Sequence, residues 1–211
     1  RRKSSKSVLH ATRNNMQKTV PNDAVLIPEQ ATCVFKGEIF DVYQWPQTLF
    51  DGSTETFEML RRPDTVVVIC IVDGKLLVLD EVQPHRGARR NFPGGRVDES
   101  DATIIDAAKR EVHEETGYTF AQWKLIQVTQ PVAKMEWFIH TILALDVTGK
   151  DDPHRDAGEQ ITERLMDFDE VKRMAAAGEG YLFESEDIFK QVSTVADLTH
   201  LPEFTGRTLD S

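Results

Sequence analysis

Cysteine is scarce: of 211 residues only Cys33 and Cys70 carry a thiol, and their separation matches no metal-ligand spacing. Cys70 lies inside the apolar run of residues 65–72, where it serves as a small hydrophobe, so a reduced, cytoplasmic setting is expected. No run approaches the roughly 18 consecutive apolar residues of a membrane-spanning helix. The basic residues near the first position are not followed by the apolar stretch of a secretory signal. Positive charge is also short. Against 35 Asp and Glu stand 25 Lys and Arg, for a net charge of −10. That balance argues against a nucleic-acid-binding chain, which needs a basic face. It also means that an anionic substrate would need a metal and local arginines to bind. Internal repeats are absent.

With 40% hydrophobic residues the chain can bury a core, and its length fits one full domain with an extension or two small domains. Its most informative stretch is residues 91–118, NFPGGRVDESDATIIDAAKREVHEETGY. Here a glycine turn leads into an amphipathic helix, expected to start near Thr103 with a Thr103 and Asp106 capping box and to end at Gly117. Ile104, Ala108 and Val112 form its buried stripe. Glu111, Glu114 and Glu115 crowd together near its end, Glu114 and Glu115 in the last turn, where like charges and the helix dipole each cost a few tenths of a kcal/mol unless a cation sits among them. Mg2+ suits such a set, because it takes oxygen ligands and keeps waters and substrate phosphates in its shell.

These residues resemble the Nudix box, G-x5-E-x7-R-E-U-x-E-E-x-G-U. Arg110 to Tyr118 matches its second half in full. The first half departs twice: Asp101 stands where the family has Glu, and eight residues rather than seven separate it from Arg110. Either Asp101 or Glu99 takes that position's role. The resemblance implies an α/β/α sandwich around a mixed sheet and hydrolysis of a pyrophosphate bond with Mg2+, for which Mn2+ could substitute. Its metal ligands would be Glu111, Glu114, Glu115 and the carbonyl of Gly94, supported by Gly95, Asp101, Arg110 and Gly117. In the ADP-ribose branch a further Glu after the box is the general base; Glu159 is the candidate here and Glu163 the runner-up. Glu136 resembles an acid that contacts substrate in that branch.

The rest of the chain is read around this box. Residues 1–30, with six cations before the first acid, read as a basic, mobile arm. Residues 31–62 read as a small antiparallel strand unit turning at Asp51-Gly52-Ser53, and residues 63–211 as the Nudix domain. Strands too few to stand alone need a partner surface, so a homodimer is expected, with Trp45 or Tyr43 stacking on a base unless the ring is core. Gln83, Arg86 and Arg89, close to the glycine turn, are candidates to bind substrate, the arginines by clamping its pyrophosphate. Residues 123–129 and 137–147 read as strands flanking a loop at 130–136. Residues 159–168 read as another strand, and 170–177 and 186–198 as helices, the second capped by Ser185. Three functions follow: a hydrolase of ADP-ribose or a related nucleoside diphosphate sugar, a hydrolase of a dinucleoside polyphosphate or nucleoside triphosphate, or a non-catalytic nucleotide sensor. The intact Arg110, Glu111, Glu114 and Glu115 set counts against the last.

Overall fold

The computed structural model describes residues 16–84, 87–155, 158, 160–179 and 182–209. Lys18–Val20 (β1) pairs antiparallel with Arg207–Leu209 (β13). Val20 is fully buried with Val128 and Phe138, and Lys18 Nζ donates to Asp64 Oδ2 at 2.7 Å. The later part of the supposed arm is therefore docked, because one apolar side chain and one buried charge partner outweigh its basic composition. Residues 1–15 lie outside the described residues.

Thr32–Lys36 (β2), Asp41–Thr48 (β3) and Thr54–Arg61 (β4) form an antiparallel meander. Its β3–β4 turn is closed by Ser53 N–H donating to Asp51 Oδ1 at 2.9 Å. A further strand joins this sheet from far along the chain: Met135–Glu136 (β10) runs parallel to β4. The sequence reading left these two residues in a loop, since so short a pairing carries no periodicity.

Thr65–Val72 (β5) and Lys75–Gln83 (β6) turn at Asp73 and Gly74, both at positive φ, as a tight two-residue hairpin requires. They pair only beside the turn, at Ile71↔Leu76 and Val72↔Lys75. Beyond it they splay, β6 taking Gly87–Asn91 (β7) as partner and β5 taking Gly94–Arg96 (β8). On its other side β5 lies parallel to Ile139–Lys150 (β11), which pairs antiparallel with Tyr118–Thr129 (β9). Gln160–Met166 (β12) edges the sheet beside β6. Among the described residues the order is β12-β6-β5-β11-β9, a mixed sheet.

Side chains of a strand alternate between faces, and β5 uses both. Val66, Val68 and Cys70 pack against Ile104, Ala107, Ala108 and Val112 of Ile104–Thr116 (α1). Val67, Ile69 and Ile71 meet the layer of Phe168–Ala176 (α2), Glu186–Gln191 (α3) and Val195–His200 (α4). This is the expected α/β/α sandwich. The single helix expected over 186–198 is broken: Val192 is extended and buried, and Thr194 starts α4 through a capping box with Asp197. Ser185 makes no side-chain cap bond. The Thr194-x-x-Asp197 spacing was itself a start signal inside that run.

Candidate active site

The box helix begins at Thr103 and ends at Gly117 as expected, with one half of the capping box formed: the Asp106 carboxylate takes the Thr103 hydroxyl in place of its N–H. Thr103 Oγ1 accepts from the Asp106 N–H at 3.1 Å, and Gly117, at φ 72°, sends its N–H to the His113 carbonyl. With the apolar stripe on the sheet, the next face of α1 looks onto β8 and the end of β5. Gly94 and Gly95 let backbone lie against that face. Glu115, only 8% exposed, accepts the Gly94 N–H at 2.9 Å. A Cβ on Gly95 would stand 2.6 Å from the Glu111 carboxyl carbon, so glycine is what leaves that carboxylate its place.

Arg110 organises the acids around it. Its Nε and Nη2 grip the two oxygens of buried Asp101 at 3.0 and 2.9 Å, and Nη1 reaches Glu111 at 2.8 Å and Glu114 at 3.2 Å. Nη2 also donates to the Arg96 carbonyl. Such a planar fork holds carboxylates in fixed positions. Asp101 thus faces Arg110 and the Asp98 N–H, whereas Glu99 is exposed. Burial acts to raise the Asp101 pKa, yet the bonds from Arg110 and the Asp98 amide hold it below the ordinary value. The opposite balance holds at Glu111, where burial outweighs the Arg110 bond and pushes the carboxyl up to about 7. Behind the site, burial first and then the charge of Glu115 push the Cys70 thiol well above its ordinary range.

The splayed ends of β5 and β6 open onto a cavity of about 640 Å³ in front of this face. Of the residues singled out from sequence, Gly94, Gly95, Glu111, Glu114, Glu115, Arg110, Gln83 and Arg89 line it. Asp101 and Gly117 stand behind it as supports. Trp45 is 7% exposed, tilted against Phe57 and bonded to Gln47, and does not line the cavity of its own chain. Tyr43 lies under the Arg61 guanidinium and accepts from it. Glu136 also turns away, accepting from Arg61 at 2.7 and 2.8 Å and from the Ile27 N–H at 2.8 Å. Glu163 is tied to Lys150 and to Arg155. Arg86 and Glu159 lie outside the described residues.

Among the cavity residues that escaped the sequence reading are Arg62, Glu81, Asn91 and Trp137. Strand alternation could have found them. Arg61 and Arg62 are neighbours, so when the first turns to Glu136 the second faces the opposite way, 4.6 Å from the Trp137 ring. Glu81 shares a face of β6 with Gln83, which donates to it, and also accepts from Asn91 at 2.6 Å. The cavity therefore joins an acidic helix face to a wall of guanidinium, amide and indole groups.

The NUDIX domain model matches residues 61–185, which takes in β5, the cavity wall and the whole of α1. The chain belongs to the NUDIX family. It is a Nudix hydrolase, and its box is the acidic face just described. A crystal structure of an ADP compounds hydrolase superposes with a TM-score of 0.52 at 17% identity, over 71% of this chain and 81% of that one. A MutT structure, from work on the fish pathogen Aliivibrio salmonicida and on Vibrio cholerae, gives 0.46 at 19% identity over 65% and 98%. At such identity the first likeness is one of fold. No curated protein matches the chain. Nudix hydrolases use divalent metal ions, and the donors here fit that class. They are carboxylate oxygens, the ligands hard cations take, and the buried charge of Glu111 is uncompensated enough to lift its pKa. Among the described residues no three acidic, His or Cys side chains are grouped so as to hold a metal ion by themselves, so these donors would hold one only together with water and phosphate.

Proposed function

We propose that this Nudix hydrolase cuts the pyrophosphate bond of ADP-ribose or a related nucleoside diphosphate sugar, using Mg2+, to give a nucleoside monophosphate and a sugar phosphate. The observation that carries the reading is one cavity lined by the box glutamates together with Arg62 and Trp137. Its volume lies within the range that takes small ligands, roughly 300–1,000 Å³. Glu111, Glu114 and Glu115, with the Gly94 carbonyl, would hold Mg2+, which when bound neutralises phosphate charge and activates water. Arg110 orients the carboxylates. Arg89 and Arg62 face the substrate anion, Gln83 and Asn91 offer amides to the sugar or phosphate, and Arg86 joins them by its place in the sequence alone. Glu159 is our choice of base for the attacking water, because Glu163 is committed to Lys150 and Arg155.

The protein is proposed to work as a homodimer. On β2 and the turn after it, Val34, Phe35, Ile39 and Phe40 are exposed, Phe35 at 60%, and a second copy would cover them. The free thiols Cys33 and Cys70 support a reducing, cytoplasmic setting. The test is release of phosphomonoester from a panel of nucleoside diphosphate sugars, dinucleoside polyphosphates and nucleoside triphosphates with Mg2+, for the wild type and Glu115→Gln. We expect the first group to turn over fastest and Glu115→Gln to lose at least about 100-fold in kcat with its fold intact. Preference for another group, or a wild-type rate in the variant, rejects respectively the substrate or the metal assignment.

A further inference from the structure

The final turn of α1 sets a problem that the glutamates alone do not solve. Its free carbonyls carry the negative end of the helix dipole, and they lie next to three carboxylates. Every carbonyl from residue 113 to 117 nevertheless has a donor. His113 O takes the Gly117 N–H at 2.8 Å, Glu114 O the His154 N–H at 2.9 Å, and Gly117 O the Asp151 N–H at 2.9 Å. Thr116 O takes Lys150 Nζ at 3.1 Å, and Glu115 O takes Arg155 Nε at 2.9 Å. Four of the five donors come from residues 150–155, so the chain leaving β11 is laced to the end of the box helix. Both of its side-chain donors are cations, the sign the dipole favours there.

Arg155 is the link that goes further. From Glu115 O its guanidinium continues to the Ile161 carbonyl at 2.9 Å and to Glu163 Oε1 at 3.0 Å, both on β12. One planar group thus ties the backbone of a box glutamate to the edge of the sheet. We propose that Arg155 is a positioning residue for the box: it fixes the turn carrying Glu114 and Glu115 against β12 and so sets the affinity of the site for its divalent ion. The proposal rests on the reading that the box glutamates hold that ion. Arginine suits the role where lysine does not, since three acceptors in different directions need a fork. Within the same segment, His154 lines the cavity beside Glu114 while its amide holds the Glu114 carbonyl. Residues 150–155 consequently serve both helix and cavity.

The experiment uses the full chain and Mn2+ as a probe seen by its own paramagnetic resonance. Support groups around a metal site commonly contribute 10–100-fold in affinity. Arg155→Ala is expected to raise the Mn2+ Kd about 10-fold, with faster amide exchange at Asp151 and His154. The Mg2+ concentration for half-maximal activity should rise in step, while substrate KM stays put. Arg155→Lys, which keeps charge and stem, should recover part of the affinity. If Arg155→Ala does not fold, Arg155→Lys decides: weaker Mn2+ binding at a wild-type Tm supports the role. An unchanged Kd and exchange pattern in the folded variants overturns it. A wild type that binds no Mn2+ removes the metal reading itself, and the proposal with it.

Discussion

Glu111 is a carboxylate placed where carboxylates are uncomfortable. Burial lifts it from an ordinary 4.5 to about 7 despite Arg110, so the folded protein holds its proton more tightly than the unfolded chain. A folded pKa above the unfolded one makes the group's contribution to stability full below about pH 4.5 and lost as pH rises through about 7. A divalent ion offsets that loss only where Glu111 is ionised. The expected result is a larger Mg2+-induced rise in Tm at pH 8 than at pH 6, and equal shifts in calorimetry would remove Glu111 from the ion's surroundings. Gly95 bears on the same carboxylate. The contact its missing Cβ avoids is with the end of a flexible side chain, so Gly95→Ala should push Glu111 aside rather than unfold the turn. Turnover should fall at least about 10-fold with Tm nearly unchanged, a split that kinetics and thermal melts on one sample would show.

Among the elements, α1 shows how far sequence reasoning reaches. Thr103, the Ile104, Ala108 and Val112 stripe and Gly117 each had one physical job, and the structure uses each for it. Gly117 admits a direct check. Its φ is 72°, and a Cβ there would meet the Asp151 carbonyl oxygen at 2.0 Å, a backbone atom with nowhere to go. Gly117→Ala should cost about 2 kcal/mol or more in denaturant melts, left-handed backbone alone accounting for about 1–2. What was not legible lies in short strands. β7 turns back on its near neighbour β6 with no apolar alternation to mark it, and β10 gets its identity from a partner distant in sequence, β4. Glu136 was readable as a substrate group, but its ion pair with Arg61 depends on the parallel β4–β10 pairing, which no local pattern encodes. Trp137 was passed over for Glu136, one residue away, and Arg62 was not singled out at all.

Seen as a whole, the molecule is held at its ends as well as through its sheet. Phe204 packs with Val20, Val128 and Phe138 and donates its N–H to the Leu125 carbonyl, and Leu209 joins the same cluster. Removing residues 202–209 should therefore cost about 3 kcal/mol or more, the scale of losing one large buried side chain. It should leave β1 unpaired without touching a residue of the cavity. A truncated protein melting with the wild type would contradict this.

The β1–β13 pairing sets Lys18 opposite Leu209, a contact that spans nearly every described residue. On the ribosome, then, β1 emerges long before β13, the strand it pairs with. Through most of synthesis Val20 has no Phe204 or Leu209 to lie against. The buried seat at Asp64 awaits Phe138 and His140, which donate to it from more than 70 positions downstream. The box helix can close early on β5 through contacts nearer in sequence, so the chain can acquire its acidic face well before it acquires the clasp that fastens its two ends.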